Sequence, residues 1–338
     1  MEYYKAADPA LNFPFRARSM PNHNKLYFMK KQLAGLSLLL LLSALIIVSC
    51  KKADSKEKDF NTEASVQSDD QNQFSSQLDA VANETNIFLE TTGTLAFRGQ
   101  DNQDLVCNAT ATADSSGSAR TITITYNGAD CLGYFNRTGT VTVTIPAGVH
   151  WKNAGAAITV NYTNLVVTRV IDNKSITING SHVITNVSGG LLMNLASVGS
   201  ITHSITSSGM TIKFGDNTTR TWQVSRQRVF TYNNGLVITT TGTHSDGTNS
   251  NIAEWGTNRF GNTFTSAITA PLVVRQDCNF RLVSGQVKHS VPLFTATATF
   301  GLNEQGNPGT CPGANGHYYV KITWTGLAGV PHTALFPY

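Results

Sequence analysis

The sequence has few charged residues: Asp, Glu, Lys and Arg together make up only 14% of its 338 positions. Six of the 25 basic residues and two of the 21 acidic residues precede Cys50, which leaves 19 of each in the remainder. A chain without net charge lacks the basic surface that attracts a phosphate backbone, so no nucleic-acid partner is predicted. Low charge with abundant Thr, Ser, Asn and Gly is instead typical of an exported β-protein.

Several motifs that carry chemistry are also absent. Beyond residue 93 the only glutamates are Glu254 and Glu304, so no carboxylate pair can be assigned to glycoside hydrolysis. There is no Gly-x-Ser-x-Gly segment of a serine hydrolase and no Cys-x-x-Cys segment of a zinc site. His244, Asp246 and Asp216 are isolated in Gly- and Asn-rich segments. We therefore predict no catalytic residue, no metal and no cofactor, and we do not expect an enzyme.

The sequence has one long apolar run, near its N terminus. Met29-Lys30-Lys31 forms a short basic start, the 16 residues 33–48 are almost all apolar, and Ser49-Cys50 follows. A basic start, an apolar core and small residues before the cleavage point are the parts of a secretory signal. The run is also shorter than the roughly 20 residues that cross a bilayer core. We therefore predict a signal peptide over residues 29–49, with a spanning helix as the alternative.

The end of this segment, Ile47-Val48-Ser49-Cys50, resembles the lipobox of bacterial lipoproteins. The resemblance implies that Cys50 is lipidated and becomes the mature N terminus, so that the lipid anchors the chain in the envelope. The periplasmic face and the cell surface are both open as its location. Residues 1–28 show no period, and Met20 or Met29 would each make a better start, so this stretch is interpreted as an upstream extension.

Four cysteines follow Cys50, and they are Cys107, Cys131, Cys278 and Cys311. An even number of cysteines in an oxidising compartment favours disulfides, and four cysteines allow three pairings. We favour the local pairs Cys107–Cys131 and Cys278–Cys311, because each pair brackets one hairpin-like segment. Closing loops of this size would stabilise the fold by roughly 3 kcal/mol each on the chain-entropy model.

Residues 50–69 are predicted to be a flexible tether, because they alternate charges and then carry mostly Ser, Gln and Asp. Apolar residues then recur at three- and four-residue steps, which predicts an amphipathic helix over residues 70–92. The residues of this stripe are Leu78, Val81, Ala82, Thr85, Phe88 and Leu89. The stripe is expected to dock on a sheet, with binding of a partner protein as the alternative.

From residue 93 onward the apolar period becomes two. Thr121–Tyr126 and Thr140–Ile145 alternate cleanly, and Asn127-Gly128 and Asn234-Gly235 are strong turn signals. The prediction is an all-β domain over residues 93–338, either an antiparallel β-sandwich or an extended twisted β-sheet, preceded by the one helix. A faint similarity between the segments around the two cysteine pairs suggests two similar modules as a further hypothesis.

The β-region resembles the C-terminal part of a group of uncharacterised β-rich lipoproteins of Gram-negative bacteria. The segments that carry the resemblance are Thr219–Phe230, Ile268–Leu272, Cys278, Ser284-Gly285 and Thr310-Cys311. It implies an outer-membrane location and no activity. In that group an acidic Gly-Asp-Gly-Thr-Cys-Asp stretch is expected around the last cysteine, whereas this chain has Gln305–Pro312 without a carboxylate.

The candidate ligand-binding residues lie in the segment Arg220–Tyr232. In an unbroken strand four of them share one face, and they are Arg220, Trp222, Arg226 and Arg228. Aromatic rings stack on sugar rings and guanidinium groups grip carboxylate or sulfate, so an exposed face of this kind predicts an anionic glycan ligand. With Asn234-Gly235 as a two-residue turn, Arg228 is expected opposite Thr241. The alternative is that the rings pack under the helix or a second sheet while the arginines lie along the surface.

These patterns together predict a lipid-anchored envelope protein that presents a non-catalytic β-rich binding module. A glycan is the predicted ligand, and the membrane is a partner through the N-terminal lipid. A second hypothesis is a structural or assembly partner of an outer-membrane protein complex, bound through the sheet edges or the helix. Exposed aromatic rings with arginines on one sheet face would favour the first hypothesis, and a free strand edge would favour the second.

Overall fold

A computed structural model of the chain describes residues 51–92, 106–131, 133–292, 294–313, 316–325 and 329–338. The predicted upstream extension, the signal peptide and the lipidation site Cys50 lie outside these residues. Within them, no helix combines the length and the apolar character needed to cross a membrane. The described chain consists of one long helix, 14 strands and three short helical segments.

The long helix α1 spans Lys51–Thr92. The strands are β1 Ala109–Asp114, β2 Arg120–Ala129, β3 Phe135–Ile145, β4 Ala156–Arg169, β5 Ser175–Asn186, β6 Ser200–Phe214, β7 Thr219–Tyr232, β8 Leu236–Gly242, β9 Ile252–Thr257, β10 Thr263–Arg275, β11 Arg281–Val291, β12 Phe294–Leu302, β13 Tyr319–Thr325 and β14 Pro331–Pro337. The short segments are the 3₁₀ turns Leu192–Asn194 and Gln276–Cys278 and the single-turn helix α2, Leu195–Val198.

All of these strands belong to one antiparallel 14-stranded sheet. Strands that follow each other in sequence are neighbours in the sheet, except that β8 pairs with β10 while β9 pairs with both β10 and β7. Consecutive strands can pair in this way because an antiparallel neighbour needs only a short turn. The all-β prediction is confirmed, and of its two arrangements the structure has the single extended sheet. The hypothesis of two similar modules stays a prediction.

Helix α1 packs its apolar stripe on one face of this sheet, as predicted. Phe74, Leu78, Val81 and Phe88 are buried and share a core cluster with side chains from β1 to β7. The strands contribute every second residue to this cluster, because successive side chains of a strand point to opposite faces. The ring of Phe74 lies 4.1 Å from that of Trp222, measured between centroids. We call the face of the sheet that contacts α1 the inner face.

The start of α1 corrects the predicted flexible tether over residues 50–69, because the helix begins at Lys51. Lys, Glu and Ala, which are frequent in the first turns, have good helix propensity. Polar contacts hold the helix at residues 69 and 70. Two ion pairs with the sheet side of the molecule do this: Asp69–Arg169 at 2.7 Å and Asp70–Arg259 at 2.6 Å. A search for apolar periodicity does not detect such contacts.

Both local disulfides are present, as predicted. The Cα atoms of Cys107 and Cys131 are 5.1 Å apart, and those of Cys278 and Cys311 are 5.4 Å apart. Disulfides persist in oxidising compartments and are rare in the cytosol. The domain therefore belongs to an extracytoplasmic compartment.

The turn between β7 and β8 has three residues, Asn233 to Gly235, and not the two that were predicted. Tyr232 pairs with Leu236, so Arg228 lies opposite Thr240 and not opposite Thr241. Asn234 has a φ of 53° and Gly235 a φ of 138°, and residues with positive φ are typical of three-residue hairpin loops. The face on which Arg228 lies does not change, because the alternation along β7 itself decides it.

The contact between Phe74 and Trp222 leads to a stability prediction. The substitution Phe74→Ala removes a fully buried ring and leaves a cavity, so it should lower the free energy of unfolding by about 3–5 kcal/mol. Phe336→Ala, at a ring that is half exposed in β14, is the matched control and should cost less than about 1 kcal/mol. Urea unfolding followed by circular dichroism measures both values. Equal costs would contradict the docking of α1 described above.

Candidate functional site

Strand β7 directs the four predicted ligand-binding residues to one side, but that side is the inner face. The exposed fractions are 1% for Arg220, 0% for Trp222, 3% for Arg226 and 5% for Arg228. The prediction that these four residues share one face of the strand is confirmed. The prediction that this face is exposed is wrong, because α1 covers it. Packing of the aromatic ring under the helix was the stated alternative. Burial of the arginines themselves was expected by neither interpretation.

Acidic side chains opposite the sheet allow guanidinium groups to be buried. Arg226 pairs with Asp79 of α1 at 3.3 Å and with Glu254 of β9 at 3.0 Å. Further along the helix, Glu84 pairs with Arg137 of β3 at 2.7 Å. An unpaired charge costs several kcal/mol when it is removed from water. Helix α1 can therefore pack on the sheet only because these ion pairs offset the cost of burying the charged groups.

Glu254 is a buried carboxylate inside this network. Burial raises the pKa of Glu254, and Arg226 and the hydroxyl of Ser75 offset only part of that rise. The Ser75 hydroxyl donates a hydrogen bond to one carboxylate oxygen at 2.8 Å, and the amide of Gln71 donates to the other. The oxygens of Glu254 are thus occupied by α1 and β7, and this residue holds the helix in place.

Arg220 has no carboxylate within ion-pair distance in the described part of the chain, but it has other partners. Its guanidinium carbon lies 4.4 Å from the centroid of the Trp222 ring and 4.1 Å from that of Phe264. The carboxamide of Gln67, with its oxygen turned toward the sheet, accepts hydrogen bonds from both terminal nitrogens. Burial lowers the pKa of Arg220 to about 9. This arginine fills a closed, packed position.

Arg228 differs from the other inward-facing arginines. Across the described ranges its guanidinium makes no ion pair and no hydrogen bond, and its Nε atom, like those of Arg220 and Arg226, is buried without a partner. The ring of Phe230 lies 5.3 Å from the guanidinium carbon. Burial lowers the pKa of Arg228, Asp79 acts against this shift, and Arg226 adds to it. Arg228 is therefore a buried cation that lacks a counter-ion.

A cavity of about 310 Å³ opens next to Arg228, between the C-terminal half of α1 and the inner face of β5 to β8. Its wall is mainly apolar, with a smaller polar share. The apolar residues that define it include Ala82, Ile87, Leu89, Ile205, Phe230 and Ile238. Arg228 and His203 are its only ionisable lining residues within the described chain. We call this space the helix–sheet cavity.

His203 of β6 is the second ionisable group of the cavity wall, which also contains the polar residues Asn83, Thr85 and Asn86 of α1. It pairs directly with Arg228 across the two strands. Its ring lies between two aromatic rings, with centroid distances of 5.0 Å to Trp151 and 4.9 Å to Phe230. Burial lowers the pKa of His203 to about 3, and the charge of Arg228 adds to this effect. The imidazole is therefore neutral at physiological pH and can offer one N–H donor.

Sequence reasoning found Arg228 but missed the cavity and His203. The wall of the cavity comes from α1 and four strands that are far apart in sequence, so no spacing of residues could indicate it.

Within the described residues, one group of metal-type ligands lies close together, Asp277 with Cys278 and Cys311. The two sulfurs of this group are bonded to each other, so they provide no thiolate for a metal.

The neutral state of His203 makes the stability of the fold depend on pH. The unfolded histidine takes up a proton near pH 6.5 while the folded one stays neutral down to about pH 3, so acidification favours the unfolded chain. From pH 7 to pH 5 this residue should remove about 2 kcal/mol of unfolding free energy, and His203→Leu should abolish that share. Urea unfolding at both pH values measures it. The exposed Ala147 provides the control, since Ala147→Leu removes no titratable group and should keep the pH dependence of the original chain. An unchanged dependence in His203→Leu would contradict the buried neutral imidazole.

Comparison with known proteins identifies no relative of this chain. No protein-family model, no curated protein and no solved structure matches this chain. The resemblance to β-rich lipoproteins of Gram-negative bacteria therefore stays a prediction. Since one fold can host many functions, the function has to be argued from the chemistry of the site.

Proposed function

We propose that this chain is a lipid-anchored protein of the bacterial cell envelope whose β-domain is a non-catalytic binding module. The anchor is the lipid on Cys50, and the outer membrane is the location. The two disulfides support export, because such bonds form in oxidising compartments. The signal-like residues 29–49 and their lipobox-like end support the anchor.

The helix–sheet cavity is the observation that carries the binding function. Clefts of about 300–1,000 Å³ with apolar walls and a few polar groups are typical of small-molecule sites. The ionisable groups of this cavity do not suit catalysis. A guanidinium keeps its proton, and a histidine with a pKa of about 3 is far from the value that favours proton transfer at neutral pH. The cavity therefore supports binding without bond chemistry.

The burial of the arginine row changes the kind of ligand that we propose. A glycan on that row needs exposed rings and guanidinium groups, and α1 covers them. A mostly apolar cavity is instead complementary to a small and largely apolar molecule, because removal of apolar surface from water is the main favourable term. We therefore place the ligand of this module in the helix–sheet cavity.

A second candidate function, assembly with another envelope protein, has one observation in its favour. No described strand pairs with the outer edge of β1 or of β14. An edge strand presents unpaired backbone groups to which a strand of a partner can add. Strand β14 starts with Pro331 and ends with Pro337, which lack the N–H donor, so β1 is the better edge for such a partner. The inner side chains of α1 are buried and do not serve this role.

Filling the cavity tests the binding function. Ala82→Leu adds three carbons at a residue of the wall and should displace a bound small molecule. We expect native mass spectrometry of the full chain, purified from bacterial envelopes, to show a small-molecule adduct that Ala82→Leu loses. Ala147→Leu, in an exposed turn, should keep the adduct. Thermal unfolding identifies variants that remain folded. An adduct of equal abundance in folded Ala82→Leu, or none in the original chain, would argue against the cavity as the site.

Removal of the cysteine thiol tests the anchor. Cys50→Ser should abolish metabolic labelling with palmitate and release the chain from membranes at alkaline pH, because the serine hydroxyl does not replace the lipidated thiol. Cys107→Ser, which removes a disulfide cysteine, should keep the label and is the matched control. Retention of the label in Cys50→Ser would place the lipid elsewhere or exclude the lipobox interpretation.

A further inference from the structure

We infer that the helix–sheet cavity binds an amphiphilic monocarboxylate of about ten heavy atoms, with its carboxylate on the guanidinium of Arg228. This inference rests on the proposed binding function and names the class of ligand. A medium-chain acyl carboxylate such as octanoate or decanoate has the required shape and charge.

The charge balance of the inner face points to an anionic ligand. Four arginines on or near this face carry a carboxylate partner at 3.0 Å or less, and they are Arg137, Arg169, Arg226 and Arg259. Arg220 is covered by two rings and a carboxamide. Arg228 differs from these five arginines because it is buried without a carboxylate or carboxamide partner among the described residues and lines a cavity. A buried unpaired charge is costly, and an anion in the cavity would offset that cost.

The geometry of the partner groups favours a carboxylate. A guanidinium presents its donors as a planar fork that matches two carboxylate oxygens. The Nε–H of Arg228 has no acceptor, and His203 on the neighbouring strand can add one neutral N–H donor. One cation and one neutral donor balance a single negative charge. A phosphate dianion would keep a surplus negative charge in a mostly apolar wall, which is unfavourable.

The volume and the wall of the cavity define the rest of the ligand. At the roughly 30 Å³ that a water-sized group occupies in a liquid, 310 Å³ holds about ten heavy atoms. Alkyl and aromatic side chains, among them Leu89, Ile205 and Ile238, surround this space. Each methylene group of a ligand that leaves water adds favourable burial of apolar surface, so affinity should rise with chain length until the cavity is full. Longer tails can extend toward solvent past Phe280, which is 54% exposed at the wall.

Photolabelling of the full chain in bacterial envelopes tests the inference. The probe is decanoic acid with a diazirine in the middle of its chain and a terminal alkyne for detection. We expect labelled peptides from α1, β6 and β8. Excess decanoate should abolish the label. Decanol, which has no charge to pair with the guanidinium, and decyl phosphate, which would keep a surplus negative charge in the cavity, should each compete at least about tenfold more weakly. Competition on the original chain does not depend on the folding of any variant.

Substitutions separate the role of the charge from that of the cavity. Arg228→Met keeps much of the side-chain volume and should reduce labelling about tenfold or more, while Arg228→Lys should retain an intermediate level. Arg120→Met, at an exposed arginine, should label like the original chain. Ala82→Leu should reduce labelling with Arg228 intact.

The outcomes distinguish failure of the proposed carboxylate ligand from failure of the cavity as the binding site. Equal competition by decanol, or full labelling of folded Arg228→Met, would overturn carboxylate recognition while a loss in Ala82→Leu would still support binding in the cavity. Competition by decyl phosphate as strong as that by decanoate would assign the site to phosphorylated amphiphiles. Labelling outside the cavity peptides, unaffected by Ala82→Leu, would overturn both the ligand class and the cavity as the binding site.

Discussion

The ion pairs between α1 and the sheet are the constraint on which the rest of the structure depends. Asp69, Asp70, Asp79 and Glu84 lie along four turns of the helix, and each meets a guanidinium group from a different part of the β-domain. A shift of the helix by one turn would leave several buried charges without partners, at a cost of several kcal/mol each. The apolar stripe provides most of the burial, whereas the ion pairs fix the position of the helix along the sheet.

This fixed position explains both the cavity and the charge beside it. Arg226 and Arg228 are two residues apart on one strand and face the same way, but α1 presents Asp79 near the first and only uncharged side chains at the cavity beside the second. A Leu or Met at position 228 would fill the space and would need no counter-ion. The structure instead keeps a buried cation that forms no ion pair with a described side chain, and the more distant charge of Asp79 offsets only part of the cost of its burial. Unsatisfied buried groups of this kind, next to a cavity, are more typical of function than of packing.

The sequence was sufficient for the elements whose patterns are local. The period of two predicted the strands, the common face of Arg220, Trp222, Arg226 and Arg228 followed from it, and the spacing of cysteines predicted both disulfides. The end of α1 was also predicted, because Phe88 and Leu89 complete its apolar stripe. Its start was not, because Asp69 and Asp70 are held by arginines about 100 and 190 residues away in sequence. Polar contacts between residues so far apart produce no periodic pattern in the sequence.

The candidate site was beyond prediction for a related reason. In the sequence, Arg226 and Arg228 are equivalent: the same residue type, the same face and similar neighbours. What separates them is one turn of a helix more than 140 residues earlier in the chain, where Asp79 gives way to Ala82. An acidic residue at position 82 would provide for Arg228 the partner that Asp79 provides for Arg226, and the cavity would then be a closed part of the core. The site thus depends on the lack of an acidic residue of α1 opposite Arg228. This feature follows from how α1 packs on β7, so it can be recognised only in the three-dimensional structure.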